Sequence, residues 1–131
     1  GVSNPDLLAA LRGRGAQVTP VPIYKWALPE DMAPLREVLG AIVAGQVDVL
    51  LITNAAQVDH VMQLLEQGGT TAQFKRACKK MVVASIGPTA SECLRQHEWP
   101  IDFEPSHSKM GTLVKETSEQ THALLQQKQL A

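Results

Sequence analysis

Two short runs of branched apolar residues, Val47 to Thr53 and Met81 to Ile86, stand between stretches where apolar positions recur every three or four residues. Nearly continuous apolar runs of this length suit parallel strands buried on both faces, and the three-to-four spacing suits helices with one face turned to a core. Asn4 before Pro5 predicts a first helix: a capping acceptor, then a proline where no N–H is needed. Leu7, Leu8 and Leu11 lie on its face, and Gly13 and Gly15 end it. Met32, Leu35, Val38, Leu39, Ile42 and Val43 form the stripe of a second helix, stopped by Gly45.

Asn54 caps a third helix carrying Ala55, Val58, Met62 and Leu65, which Gly68-Gly69 ends, and Thr70 or Thr71 caps a fourth around Phe74, Ala77 and Cys78. Gly87-Pro88 switches the second buried strand into a helix containing Leu94, and residues 110–127 predict a last helix whose glutamine-rich end frays. Ile101 to Glu104 is a weaker strand, broken by Pro105. Residues 16–26, with Pro20 and Pro22, predict an edge strand or a connector rather than a central strand.

Alternating strands and helices with short connections imply an α/β fold, a parallel sheet with helices on both faces. About four strands are visible, and the chain opens with Gly1-Val2-Ser3-Asn4-Pro5 directly into a helix. A doubly wound domain normally begins with a strand near the sheet's centre. The expectation is therefore a domain without its first strand, the fragment of something larger, whose exposed edges would make the isolated chain dimeric or segment-swapped.

Composition narrows the function. The 131 residues carry 12 basic and 13 acidic side chains, a net charge of −1, and 44% are apolar. That suits one folded domain and excludes a disordered chain. A nucleic-acid module is not expected, because it needs a clustered cationic surface; the cluster Lys75, Arg76, Lys79 and Lys80 reads as the solvated face of one helix. The longest apolar run, Leu7 to Leu11, is far too short to span a bilayer, and no signal-peptide pattern is present, so a soluble, cytoplasmic protein with no membrane association is expected. Cys78 and Cys93 have neither the number nor the spacing of a disulfide framework or a zinc site.

Ligands of open parallel sheets collect beyond the carboxyl ends of the strands. Two loops qualify: Thr53-Asn54-Ala55-Ala56, and Ser85-Ile86-Gly87-Pro88-Thr89-Ala90-Ser91. Each brings small and hydroxyl-bearing residues to a helix start, where backbone N–H groups attract anions. The simpler reading is that Asn54 and Thr89 only cap their helices. Neither loop has the ending of a P-loop or the glycine triplet of a dinucleotide fingerprint, and Thr53 and Ser85 stand where a phospho-acceptor domain would want aspartate. His60, His97, His107 and His122 are read as scattered, without ligand spacing, so no metal site and no cofactor are expected. Tyr24, the only tyrosine, either packs its ring edge or offers a phenol to a cleft.

Several separated stretches together resemble the uroporphyrinogen-III synthase family: Leu11-Arg12-Gly13-Arg14-Gly15-Ala16-Gln17-Val18, Val21-Pro22-Ile23-Tyr24, Leu28-Pro29-Glu30-Asp31, Val47-Asp48-Val49-Leu50-Leu51-Ile52-Thr53 and Ala84-Ser85-Ile86-Gly87-Pro88-Thr89. The Ile-Gly-Pro-Thr turn followed by a helix and Pro100-Ile101-Asp102 is the most specific. In order and spacing the resemblance covers residues 6–115, corresponding to the family's second half.

The resemblance implies a flavodoxin-like lobe of a two-lobed enzyme: residues 1–23 belonging with the adjoining lobe, 24–28 as connector and 29–131 as this lobe. It implies conversion of hydroxymethylbilane to uroporphyrinogen III, with inversion of the last pyrrole ring and loss of water, by a full enzyme that is monomeric and uses no cofactor. By position Tyr24 matches the family's cleft tyrosine, proposed to assist departure of the hydroxyl group. Thr53, Asn54 and Ala55, with Gly87, Pro88 and Thr89, fall in the family's substrate-binding loops. Asn54 stands where serine is usual and Ala90 where a second threonine is usual, so both remove a hydroxyl from the presumed cleft. Those departures motivate a second reading, a synthase-like lobe that binds a tetrapyrrole or a protein partner without catalysis. An unrelated flavodoxin-like domain is a third.

Overall fold

The computed structural model describes residues 4–130. Gly1, Val2 and Ser3, read above as leading straight into a helix, lie outside the described residues, as does Ala131. The elements run α1 (Pro5–Gly13), α2 (Ala33–Val43), β1 (Val49–Ile52), α3 (Ala55–Gly68), α4 (Thr71–Cys78), β2 (Val82–Ser85), α5 (Pro88–Gln96) and α6 (Met110–Leu130). The fold is α/β, and every helix predicted from apolar spacing is present.

The caps follow the local chemistry. Asn4 Oδ1 accepts from the Leu7 N–H at 3.1 Å and Asn54 Oδ1 from the Gln57 N–H at 2.9 Å. α3 ends at Gly69, whose φ of 66° is left-handed and favours glycine. Thr70 precedes α4 without a side-chain cap bond, and α5 is preceded by Gly87, so Thr89 lies inside the helix and is not its cap.

β1 and β2 pair in parallel, from Val49 opposite Val82 to Ile52 opposite Ser85. Alternation along the strands splits their side chains between two faces. Leu50, Ile52 and Val83 join the main apolar cluster with Leu39, Ile42, Val58, Leu65, Phe74, Leu94 and Trp99. Val82 and Ala84 point the other way and are also fully buried; α6 packs against β2 and buries Leu113 and Thr117. The near-continuous apolar run of β2 is thus explained by burial on both faces.

The expected four strands reduce to two and a bridge. Residues 16–26 form no strand: two prolines remove ladder donors, and Val21 and Ile23 face solvent. The segment at 101–104 touches the sheet through one bridge, Ala84 to Phe103, with the Ser85 N–H donating to the Phe103 carbonyl at 2.9 Å. It goes no further because the Asp102 carboxylate, rather than a backbone carbonyl, accepts the Val83 N–H at 2.7 Å.

The end of α6 departs from expectation too. Instead of fraying after residue 127, the helix continues to Leu130, and Lys128 reaches back to donate to the carbonyls of Cys78 and Met81 and to Asp102 Oδ2, each at 2.6 Å. No helix among the described residues is long and apolar enough to cross a membrane.

Candidate functional site

Because β1 and β2 are parallel, adjacent and in register, the two loops singled out above leave the same edge of the sheet. Ala55 from the first loop meets Pro88 and Thr89 from the second, and with Glu92, Cys93 and Gln96 they line an open depression of about 450 Å³. This is the carboxyl end of the strands, where open α/β sheets collect ligands.

The first loop is held by a residue that the sequence reading passed over. Gln57, one turn into α3, accepts the Thr53 N–H on Oε1 and donates from Nε2 to Thr53 Oγ1, both at 2.9 Å. Its own N–H is taken by Asn54 Oδ1. Thr53 and Asn54 are therefore tied to the helix start, and the capping reading of Asn54 describes what its side chain does. The signal was local: an N-cap asparagine with glutamine three residues on is the spacing of a capping box, whose glutamine reaches back to the chain before the helix.

The second loop rests on a buried polar pair. Ser85 and Ser91 are fully buried, with Ser91 Oγ 2.8 Å from Ser85 Oγ and 2.7 Å from Glu104 Oε2, and Ser85 Oγ 3.1 Å from the Gly87 carbonyl. Two hydroxyl protons serve three contacts. Ser85 donates its proton to the Gly87 carbonyl, and Ser91 shares its one proton between Glu104 Oε2 and Ser85 Oγ. Gly87 is buried, and a Cβ there would meet the exposed Ser108 side chain, which would have to shift to make room. In the same loop the Ser106 N–H donates to Glu116 Oε2 at 2.8 Å and its hydroxyl donates to Oε1. Those bonds hold the Glu116 carboxyl below its ordinary range.

Pro88 and Thr89 are exposed on the depression, at the start of a helix with no side-chain cap. Ala90 is 2% exposed and belongs to the apolar cluster, so its side chain faces the core and not the cleft. The missing hydroxyl at that position therefore leaves the lining unchanged. Tyr24 is not brought to the depression. It lies on the irregular segment between α1 and α2, 58% exposed, edge-on to Trp26 with ring centroids 6.0 Å apart.

Beside the depression the structure brings together three side chains with donor atoms that could hold a metal ion. Cys93 and His97 are one helical turn apart, a spacing the sequence reading overlooked, and Asp59 of α3 meets them. His97 Nε2 is 2.9 Å and Cys93 Sγ 3.5 Å from Asp59 Oδ1, and Sγ is 3.6 Å from the Ala55 carbonyl. Burial first, then the Asp59 charge and hydrogen bond, push the Cys93 thiol up to about 11.

At the opposite end of β2, Arg76, Lys79 and Lys80 are exposed, as expected of a solvated face, and Lys75 is partly buried. With Arg95, Trp99 and Lys128 they line a groove of about 1100 Å³, although Lys75 is paired with Glu98 at 2.8 Å.

Comparison with known proteins gives the site a context. The family model described as uroporphyrinogen-III synthase HemD matches residues 1–115. A protein provisionally named a uroporphyrinogen-III synthase, from Methanothermobacter thermautotrophicus, is 29% identical over 83 residues, covering 63% of this chain and 32% of its own length. The uncharacterized protein YjjA of Bacillus subtilis is 25% identical over 117 residues, 88% of this chain and 43% of its own. The chain thus spans less than half the length of either relative. No solved structure matches it.

Proposed function

The chain belongs to the uroporphyrinogen-III synthase family, and from that premise we propose that it forms the C-terminal portion of an enzyme that cyclises hydroxymethylbilane to uroporphyrinogen III, inverting the last pyrrole ring and releasing water. The observation that carries this reading is the meeting of Ala55, from the 53–55 loop, with Pro88 and Thr89, from the 87–89 loop, at one depression at the carboxyl ends of β1 and β2. The substrate is a flexible polycarboxylate that closes without inversion when left alone. Catalysis is then largely a matter of holding one conformer while a cation forms and is captured. Thr53, Asn54, Ala55, Gly87, Pro88 and Thr89 are assigned to that task. Backbone N–H groups at the uncapped start of α5 bind acetate or propionate carboxylates without a basic patch. The overall change is a dehydration, redox-neutral, and calls on no cofactor.

In this reading the lobe is flavodoxin-like. Residues 1–23 belong with an adjoining lobe, 24–28 are connector and 29–131 complete this one; in support, α1 buries none of its residues and Val21, Ile23 and Trp26 are exposed. Tyr24 then reaches the cleft only when the second lobe is present, where its phenol assists departure of the hydroxyl group. The chain alone is inactive or nearly so, because half of the cleft is absent.

The test is the isomer composition of products formed from fresh hydroxymethylbilane by the full-length protein and by this chain in parallel. Type III from the full-length protein, lost largely in Tyr24→Phe, is the expected result. A folded full-length protein that yields only type I refutes it. Binding of the tetrapyrrole without type III would favour the non-catalytic lobe, for which the diversion of the Asn54 side chain to capping speaks.

A further inference from the structure

Among the described residues one cluster outside the two loops combines the donor types that transition metals select. Cys93 and His97 lie four residues apart at the end of α5, which puts both on one helix face, and α3 packs against that face and delivers Asp59. The three ligand atoms lie within 4.8 Å of one another. In a tetrahedral zinc site with bonds of about 2.3 Å to sulfur and about 2.0 Å to oxygen, the sulfur–oxygen edge is about 3.5 Å. Cys93 Sγ and Asp59 Oδ1 are 3.5 Å apart. The nitrogen–oxygen edge of the same site is about 3.3 Å, so His97 Nε2, now 2.9 Å from Asp59 Oδ1, moves by a few tenths of an ångström when an ion replaces their hydrogen bond.

We propose that Asp59, Cys93 and His97 are a binding site for zinc or a similar borderline divalent cation, with water as the fourth ligand. A sulfur, an imidazole nitrogen and one carboxylate oxygen select zinc over magnesium or calcium, which take all-oxygen shells. The site is built as well as accessible. Cys93 is buried and fixed by the packing of α5, while the His97 and Asp59 side chains are 28% and 59% exposed and give an ion its path. A bound ion ties α3 to α5 across their interface, at the inner wall of the depression that Cys93 and Ala55 line. The inference stands on these side chains alone and does not depend on the proposed reaction.

Cobalt(II) is the probe, titrated into the purified, reduced chain. The expected result is one ion per chain, a thiolate-to-cobalt charge-transfer band in the near ultraviolet, intense tetrahedral ligand-field bands, and displacement of cobalt by zinc. Cys93→Ser abolishes the charge-transfer band, whereas Cys78→Ser keeps it. His97→Gln, at a half-exposed position that tolerates the change, weakens binding about tenfold or more, since loss of an outer-shell partner alone costs about 10- to 100-fold. Zinc should also raise the melting temperature of the parent chain but not of His97→Gln. Absence of the charge-transfer band, its persistence in Cys93→Ser, or a zinc-induced melting shift unchanged in His97→Gln overturns the proposal.

Discussion

Replacing Lys128 by methionine tests whether the last turns of α6 hold the domain together. The Lys128 ammonium has three protons and uses all three, donating at 2.6 Å to the carbonyls of Cys78 and Met81 and to Asp102 Oδ2. Cys78 is the last residue of α4, so its carbonyl is one of those a helix end leaves without an internal partner. Asp102 meanwhile accepts the Val83 N–H, so one side chain from the end of the chain joins α4, the approach to β2 and the bridging segment. Methionine keeps the apolar stem and removes the charge, leaving two carbonyls and a carboxylate short of a donor.

Each hydrogen bond to a charged group contributes about 1.5–3 kcal/mol, and adding three would overcount because water re-solvates part of what is released. The Lys128 and Asp102 side chains are 14% and 16% exposed, which allows some of that rescue. A loss of about 2–4 kcal/mol follows, lowering the melting temperature by roughly 10 °C for a domain of this size. The assay is urea unfolding followed by circular dichroism, with Asp102→Asn added to Lys128→Met. Removing the stranded carboxylate charge should return about 1 kcal/mol of the loss. A Lys128→Met protein within about 0.5 kcal/mol of the parent, the ordinary range for surface substitutions, would mean that the lysine is solvated and α6 frays, refuting the reasoning.

Three further outcomes are expected. Gly87→Ala should cost about 1 kcal/mol, because the exposed Ser108 side chain, whose Cβ lies 3.1 Å from the added methyl, must give way, and Ser108→Gly should recover much of it in the same unfolding assay. Thr117→Val should stabilise by about 1 kcal/mol, because Thr117 Oγ1 is buried without a hydrogen-bond partner and valine keeps its shape. Burial raises both thiols from 9.0 to about 11; at Cys78 the Lys128 charge pulls the other way, and at Cys93 Asp59 adds to the rise. The folded chain therefore keeps protons that the unfolded chain releases near pH 9. Their stabilising contribution is complete below that pH and is lost as pH rises through about 11, so the urea midpoint should fall across this window, and by less in Cys78→Ser.

The amino-acid sequence by itself determined the helices, the two buried strands, the α/β class and the family. These depend on neighbours along the chain: apolar spacing at Met32 to Val43, an asparagine cap at Asn54, a left-handed glycine at Gly69, and the Gly-Pro-Thr turn after a buried run. That both loops leave the same edge of the sheet followed from the same pattern, since parallel strands carry their loops to one edge; that β1 and β2 are neighbours, so that Ala55 meets Pro88 and Thr89, came only with the fold. Tertiary structure alone decided the rest. Residues 16–26 find no ladder, and Asp102 takes a strand donor that a carbonyl would otherwise accept. Ser91 reaches Glu104, Lys128 ties down the glutamine-rich end of α6, and Asp59 completes a cluster half visible in Cys93 and His97. A polar side chain has the same local pattern whether it faces water or a partner many residues away, and only packing brings that partner within the short range at which a hydrogen bond or an ion pair exists.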